Sequence, residues 1–514
     1  MKRTNSSIKN LIVAFGGQFA GIIISFIARL VFIRILTKEY LGLNGLFSNI
    51  LSILSLVELG IGPAMTYSLY KPLAEKNIEK LKSLMRLYKK MYIIIGSVIL
   101  VLGILLTPFL KYFIDEMPNT KENISYIYIL FVVNTAISYF YTYKRSLIIS
   151  DQKRYLATLY RYGFYLLLNI TQIIILIITK NYILFLVAQI IFTFLENFFL
   201  SIKADKLYPF LKQKNIKKLE KKETDSIKKN VTAMVAHKVG GVIVNSTDNL
   251  FISKFVGIAA VGMYSNYYLI TNALTTVIAQ VFSSIVASVG NLCVTADKKK
   301  QNDIFSKVFF INFWIYGFAS ICLYVLFNSF IKIWVGSDYL FTMTTVSIIV
   351  INFYLTGMRK TVLTFRDAMG LYWYDRFKPA LEVILNIVAS IILAKFMGVT
   401  GIFIGTAIST IFSCFWLEPY ILYKYGLKEN VRYYFVEYAK YLVLTIIAGI
   451  ATYIVVNLIK GDNLSCFIIK AIICTIIPNL IFVLFTFKTK EFKYYKDLVK
   501  NIFNKKLKKN RREK

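Results

Sequence analysis

Arg29, Glu58, Arg161, His237, Lys238 and Asp248 are ionisable side chains set inside apolar stretches of the sequence. A charge placed at membrane depth is costly unless it is paired or wet, so each is a candidate for function. Arginine and lysine bind phosphate through charge-assisted hydrogen bonds. Carboxylates and an imidazole take up protons or cations. His237 is the only histidine of the 514 residues, so a His-based metal site or a Ser/His/Asp arrangement would have to be built around it. The five cysteines are odd in number, lie mostly in apolar runs and show no metal-ligand spacing. No GxxxxGK[ST] loop for a nucleotide phosphate occurs. No metal or other cofactor is expected.

The elements that must hold these side chains are apolar helices. The chain is 57% hydrophobic and 17% charged, whereas soluble chains average about 45–50% and about 25%. That excludes disorder and nearly excludes a soluble enzyme, because so much apolar surface exceeds what one soluble core buries. Apolar runs long enough to cross a bilayer predict fourteen helices, at 10–35, 42–68, 91–113, 124–143, 157–179, 182–202, 230–254, 259–290, 304–328, 341–358, 379–397, 399–422, 438–459 and 464–487. The short links at Lys180-Asn181 and 397–401 force their neighbours to run antiparallel. The fold class is an all-α polytopic membrane protein.

Charge sets the orientation. There are 62 Lys+Arg against 27 Asp+Glu. The segments Lys71–Lys90, Lys144–Arg154, Lys203–Lys229, Lys298–Lys307, Arg359–Lys378 and Lys424–Lys440, with the two ends, hold about 49 of the 62 basic residues, and the opposite loops about 10. The basic excess is therefore a topology signal rather than a nucleic-acid footprint. It predicts a multi-pass protein of the cytoplasmic membrane with both termini cytosolic. MKRTNSSIKN before an apolar run imitates a signal peptide, but the run is too long and no A-x-A-like site precedes Arg29, which predicts a retained first helix. The tail from Lys488 to Lys514 has twelve basic and three acidic residues, with Phe492, Tyr495, Val499, Ile502 and Phe503 at helical spacing. It reads either as a helix lying on an anionic inner leaflet or as a solvated topology anchor.

The chain also resembles itself. Displaced by 220 positions, residues 9–42 face 229–262 without a gap, and Lys9, Asn10, Gly21, Ile23, Leu30 and Gly42 match Lys229, Asn230, Gly241, Ile243, Leu250 and Gly262. Such a repeat lays the first helix over the seventh and predicts two parallel six-helix bundles, with substrate between them. The expected division is an N-terminal lobe at 1–228, a second lobe at 229–423, two added helices at 424–487 and a basic cytosolic tail at 488–514.

On this register Glu58, in the second helix, and His237 and Lys238, in the seventh, lie roughly 12 Å deep. Gly60, Gly62 and Pro63 can break the second helix and turn carbonyls toward a cavity. Two readings stand for Glu58 and Lys238: a pair that closes an inner gate, or partners within separate lobes. Arg29 and Asp248, in the outer thirds of the first and seventh helices, would form the matching outer gate, with snorkelling the rival for Arg29. Arg161 is shallower and reads as a snorkelling anchor or a cavity cation, and Glu196 is placed similarly. His237 reads as a hydrogen-bonded interior histidine or a pH sensor. Arg34 and Lys254 read as interfacial anchors, or as cations able to receive an anionic group at the outer rim.

RLVFIRILTKEYLGLNGLFSNILSILSLVELGIGPAMTYSLYKPLAE (29–75) closely resembles the second-helix region of bacterial flippases for lipid-linked O-antigen and capsule repeat units, members of the multidrug/oligosaccharidyl-lipid/polysaccharide (MOP) superfamily. Arg-x-x-Phe ahead of EYLGLNGLF, then ELGIGPA, then YKPLAE carry the resemblance. It implies fourteen helices in two lobes plus two, and an undecaprenyl-pyrophosphate-linked oligosaccharide as cargo, with no sugar contact transferable. Membrane lipids and, for the pathway, a polysaccharide polymerase and a chain-length regulator are the partners it implies. Coupling would use Na+, H+ or the membrane potential, with Glu58, Asp248 or His237 as the group that binds the ion. A multidrug exporter of the same superfamily is the alternative, weakened because the first helix carries Arg29 and no acid. A membrane polymerase or sugar transferase is less favoured, since its outer active site would need acids that the short outer loops barely supply.

Overall fold

The computed structural model describes residues 2–58, 61–115, 118, 120–213, 219, 225, 241–244, 246–461 and 463–510. The regular structure among them is helical throughout. Two compact units divide at Ser265/Asn266. The first contains α1 (Lys2–Ile35), α2 (Lys38–Leu54), α3 (Ile61–Ala74), α4 (Ile78–Leu106), α5 (Ile124–Tyr139), α6 (Thr142–Ser150), α7 (Arg154–Thr179), α8 (Tyr182–Leu207) and α9 (246–255). α10 (Ile258–Thr295) begins in the first unit and runs into the second. The second goes on through α11 (Lys298–Val335), α12 (Met343–Met358), α13 (Lys360–Ala368), α14 (Lys378–Ser409), α15 (Phe415–Ile421), α16 (Arg432–Asn457), α17 (Leu464–Thr486) and α18 (Lys490–Asn510).

Among the described residues, nine helical stretches are long and apolar enough to cross a membrane, and α5 with α6 makes a tenth, bent by 42°. One of the nine, Lys378–Leu427, is 50 residues long, far more than the ~20 that a bilayer needs. It turns back at Gly398, whose φ of 55° and ψ of −131° lie outside the helical region. Beyond the turn, Asn386 donates to the Thr406 hydroxyl (3.0 Å) and the Ser390 hydroxyl to the Ile402 carbonyl (3.2 Å), so the stretch is an antiparallel pair, as the sequence predicts at 397–401. The expected second span, 42–68, is discontinuous: α2 gives way to a 3-10 turn at Ser55–Glu58, and α3 starts at Ile61. The chain is an all-α, multi-pass membrane protein of about fourteen spans. Residues 230–240 of the seventh expected span lie outside the described residues.

The internal duplication is written in the helix starts. Asn77 caps α4 by accepting from the Lys80 N–H (3.0 Å), and Asp297, 220 positions on, caps α11 by accepting from Lys300 (3.1 Å). Each capping oxygen satisfies one of the amides left over at a helix N-terminus. α5 and α6 have 16 and 9 residues, and so do α12 and α13. In the first unit the Lys121 N–H donates to the Tyr40 hydroxyl (3.1 Å). In the second, the Phe341 N–H, again 220 positions on, donates to Tyr267 (2.9 Å).

Packing follows the same plan. In the first unit α1 lies along α7, α7 on α8, and α5 between α4 and α8. In the second, α11 packs on α12, α16 and α17, and α12 on α14. One buried cluster of the first unit joins Ile61, Met65 and Leu69 of α3 to Tyr88 and Tyr92 of α4, Tyr139 of α5, and Leu147 of α6. It packs α3, the second half of the broken span, against α4, α5 and α6.

Candidate functional site

Glu58 is the last residue of the turn that breaks the second span, and it is half-buried. Gly60, Ile61, Gly62 and Pro63 follow it, and a proline in the first turn of α3 costs no intrahelical hydrogen bond there. The Ser55 hydroxyl returns to the Leu51 carbonyl (2.7 Å), closing the end of α2. Tyr92 reaches across from α4 and donates its hydroxyl to Glu58 Oε1 (3.3 Å). The Tyr92 ring is fully buried and stacks on Tyr139 (centroids 6.5 Å apart, planes at 19°), so the carboxylate is aimed by a rigid aromatic support. A Cβ on Gly62 would lie 3.6 Å from Glu58 Oε1 and 3.3 Å from the Tyr92 hydroxyl. Any larger side chain there would enter the carboxylate's space.

Arg29 stands near the far end of α1, half-buried, and donates from Nη1 to the Ser265 hydroxyl in α10 (2.7 Å). That bond belongs to a close crossing within the first unit. A Cβ on Gly42 would overlap the Ile258 carbonyl, and a Cβ on Gly262 would overlap the Lys38 carbonyl. Lys38 and Gly42 are 220 positions from Ile258 and Gly262, so each contact is the repeat counterpart of the other. Arg29 and Ser265 follow the same rule. Their counterparts are Asn249 and Gly45, and the Asn249 side chain lies 3.4 Å from where a Cβ on Gly45 would sit. Asn49 adds a bond to the Ser246 carbonyl (3.2 Å). The crossing thus has approximate two-fold symmetry, and only the side chains break it, with a guanidinium on one side and an amide on the other.

Buried ion pairs hold the ends of the spans where lysine and arginine are concentrated. Glu418 in α15 has no exposed surface and receives three bonds: Arg359 Nε (2.9 Å), Arg359 Nη2 (2.7 Å) and Lys378 Nζ (2.7 Å). Glu382 lies 3.7 Å from Arg359 and 3.6 Å from Lys378, completing a neutral quartet. α15 is flanked by π-helical turns at Thr410–Cys414 and Leu422–Leu427. In the first unit Lys144 binds Ser201 (2.7 Å) and Asp205 (2.8 Å), while Arg145 pairs with Glu196. Outside the spans, Tyr208 donates to Asp151 (2.7 Å). Burial, and then this bond to a carboxylate, raise the Tyr208 hydroxyl above the usual phenol range.

The sequence profile of polysaccharide biosynthesis proteins matches residues 7–289, more than half of the chain. The chain belongs to that family. No protein of curated function matches the sequence. Among solved structures, the lipid II flippase MurJ in an inward closed conformation superimposes with a TM-score of 0.68 at 15% identity, over 96% of this chain and 100% of that one. An inward-facing multidrug resistance MATE family transporter of the MOP superfamily gives 0.63 at 14%, over 81% and 98%. A Pyrococcus furiosus MOP superfamily transporter, described by a reversed polarity of its binding pocket, gives 0.52 at 13%, over 82% and 96%. At these identities the structures establish a shared fold.

Arg29 and Glu58 thus occupy built positions in a family member, on the crossing and at the helix break. Arg161 is exposed on α7, and Asp248 is half-buried on α9 beside Asn249. Asn249, rather than Asp248, is the repeat counterpart of Arg29. His237 and Lys238, and with them the pairing of Glu58 and Lys238, lie outside the described residues. Arg34 and Lys254 are both exposed near the ends of their helices. Glu196 has a partner, Arg145, within its own unit. Sequence reasoning missed the quartet around Glu418. The signal was an acid inside the apolar run FSCFWLEPYILY, of the same kind that marked Glu58.

Proposed function

We propose that this chain is a flippase carrying an undecaprenyl-pyrophosphate-linked oligosaccharide across the cytoplasmic membrane by alternating access, in the biosynthesis of O-antigen, capsule or a related polysaccharide. The carrying observation is Arg29: a guanidinium half-buried within an apolar helix and bonded to the Ser265 hydroxyl at the crossing of the two repeats. A guanidinium at that position can bind an anionic head through charge-assisted hydrogen bonds. Membership in a polysaccharide biosynthesis family, and a fold shared with a lipid II flippase, support a lipid-linked cargo.

In this reading the lysine-rich loops and both termini are cytosolic. Two lobes, 1–228 and 229–423, rock, and helices at 424–487 complete the shell. Arg29, Arg161, His237, Lys238, Glu58 and Asp248 line the route. Glu58, at a broken span, is the group best placed to couple movement to H+, Na+ or the membrane potential. A polymerase and a chain-length regulator would act on the product.

The experiment is the fate of the lipid-linked intermediate in cells lacking this chain. Complete repeat units stranded on the cytosolic leaflet support the flippase. Unpolymerised units accumulating on the outer leaflet would contradict it. A second reading, export of cationic drugs, draws on the half-buried carboxylate of Glu58 and the shared fold with a multidrug transporter. Raised sensitivity to cationic drugs, with polysaccharide intact, would select it.

A further inference from the structure

α17 ends at Thr486, and α18 sets out from Lys490 with three residues between them, so α18 starts where a membrane span stops. Its first turns are fixed to α11. Phe492 stacks on Trp314 (centroids 6.1 Å, planes at 26°), and Tyr495 stacks on Phe310 (6.2 Å, 21°). The Tyr495 hydroxyl donates to the Lys307 carbonyl (3.0 Å), and the Lys307 ammonium lies 4.2 Å from the centre of the Tyr494 ring.

Protein cover ends there. Leu498 and Val499, three and four positions past Tyr495 and so on the same helical stripe, are 39% and 49% exposed. In the sequence Ile502 and Phe503 continue the spacing. Lys493, Lys496 and Lys500 are exposed alongside. A stripe that served only to dock α18 would be covered, and a solvated anchor needs no stripe at all. An uncovered apolar stripe edged with lysines, on a helix leaving a membrane span, is the make-up of a helix lying in the membrane interface. Twelve basic residues against three acidic, from Lys488 to the end of the chain, choose the lipid: an anionic leaflet attracts them and a zwitterionic one does not.

We propose that α18 beyond Tyr495 is a binding surface for anionic phospholipid. The Leu498/Val499 stripe enters the headgroup layer, Lys493, Lys496 and Lys500 pair with lipid phosphates, and the aromatic clamp at Phe492 and Tyr495 holds the helix against α11.

The test is hydrogen exchange of the full-length protein in nanodiscs of phosphatidylcholine alone and of phosphatidylcholine with phosphatidylglycerol. Amides of residues 496–503 are expected to exchange roughly ten-fold more slowly in the anionic discs. High salt should remove the difference. So should full-length protein carrying Lys493→Glu, Lys496→Glu and Lys500→Glu, while exchange in α16 and α17 stays as in the unaltered chain. Equal protection in both lipids would overturn the proposal, showing a surface held by protein or by apolar insertion alone. Rapid exchange in both would also overturn it, showing a solvated tail.

Discussion

Glu418 and Glu58 are both carboxylates inside apolar spans, yet their surroundings give them different work. Glu418 is sealed and shared between Arg359 and Lys378, with Glu382 close by. Removing one member of a buried pair typically costs about 3–5 kcal/mol, because the partner's charge is left uncompensated. Glu418→Gln removes the charge behind the three short bonds and leaves two cations facing the more distant Glu382, so it should lower the thermal unfolding midpoint in detergent more than Lys378→Gln, after which Glu418 keeps both bonds from Arg359. Equal midpoints would contradict the shared-acceptor geometry. Glu58 is half-buried and accepts from Tyr92. Glu58→Gln preserves the acceptor for Tyr92 and removes the charge. It should leave the midpoint nearly unchanged while polysaccharide assembly falls. Tyr92→Phe should instead cost about 1–3 kcal/mol of stability, since the hydroxyl is bonded to a charged group in a buried setting. Arg29 and Glu58 were legible because a charge in a hydrophobic run is conspicuous. Glu418 was equally conspicuous, but its partners Arg359 and Lys378 lie 59 and 40 residues away in sequence, and nothing local names them.

At the scale of elements, the crossing of α2 and α10 brings the backbone of each helix against a glycine of the other. Gly42 and Gly262 are there because a backbone carbonyl occupies the space that a side chain would need. Gly42→Ala and Gly262→Ala should each destabilise by about 1–3 kcal/mol, the usual range for overpacking, with the double variant less than additive because both act on one contact. A cost at only one site, measured by thermal unfolding of the purified variants, would deny the two-fold character of the crossing. The 220-residue displacement was visible in sequence from a few matching residues, and the structure finds the same displacement in two helix caps and in two amides, of Lys121 and Phe341, that each donate to a tyrosine hydroxyl. The break in the second span was suggested by Gly60, Gly62 and Pro63. The bend between α5 and α6 was not, because Tyr-Phe-Tyr-Thr at 139–142 carries no proline or glycine.

For the whole molecule, hydropathy and charge together fix the class. An all-helical polytopic chain needs every backbone group bonded within its own helix, and the apolar runs supply that. Substrate identity is written far more faintly, since sugar contacts depend on which of many tyrosines and polar groups face a cavity. In the proposed function the pyrophosphate is the part of the cargo that simple physics can address, and Arg29 is the residue proposed to meet it. The most direct measurement reconstitutes the purified chain in vesicles carrying a fluorescent undecaprenyl-pyrophosphate oligosaccharide and follows its exposure to a membrane-impermeant quencher. The unaltered chain should move the labelled head between leaflets, and Arg29→Ala, folded to the same midpoint, should move it much more slowly. Transfer no faster than in protein-free vesicles, or transfer undiminished by Arg29→Ala, would contradict the account.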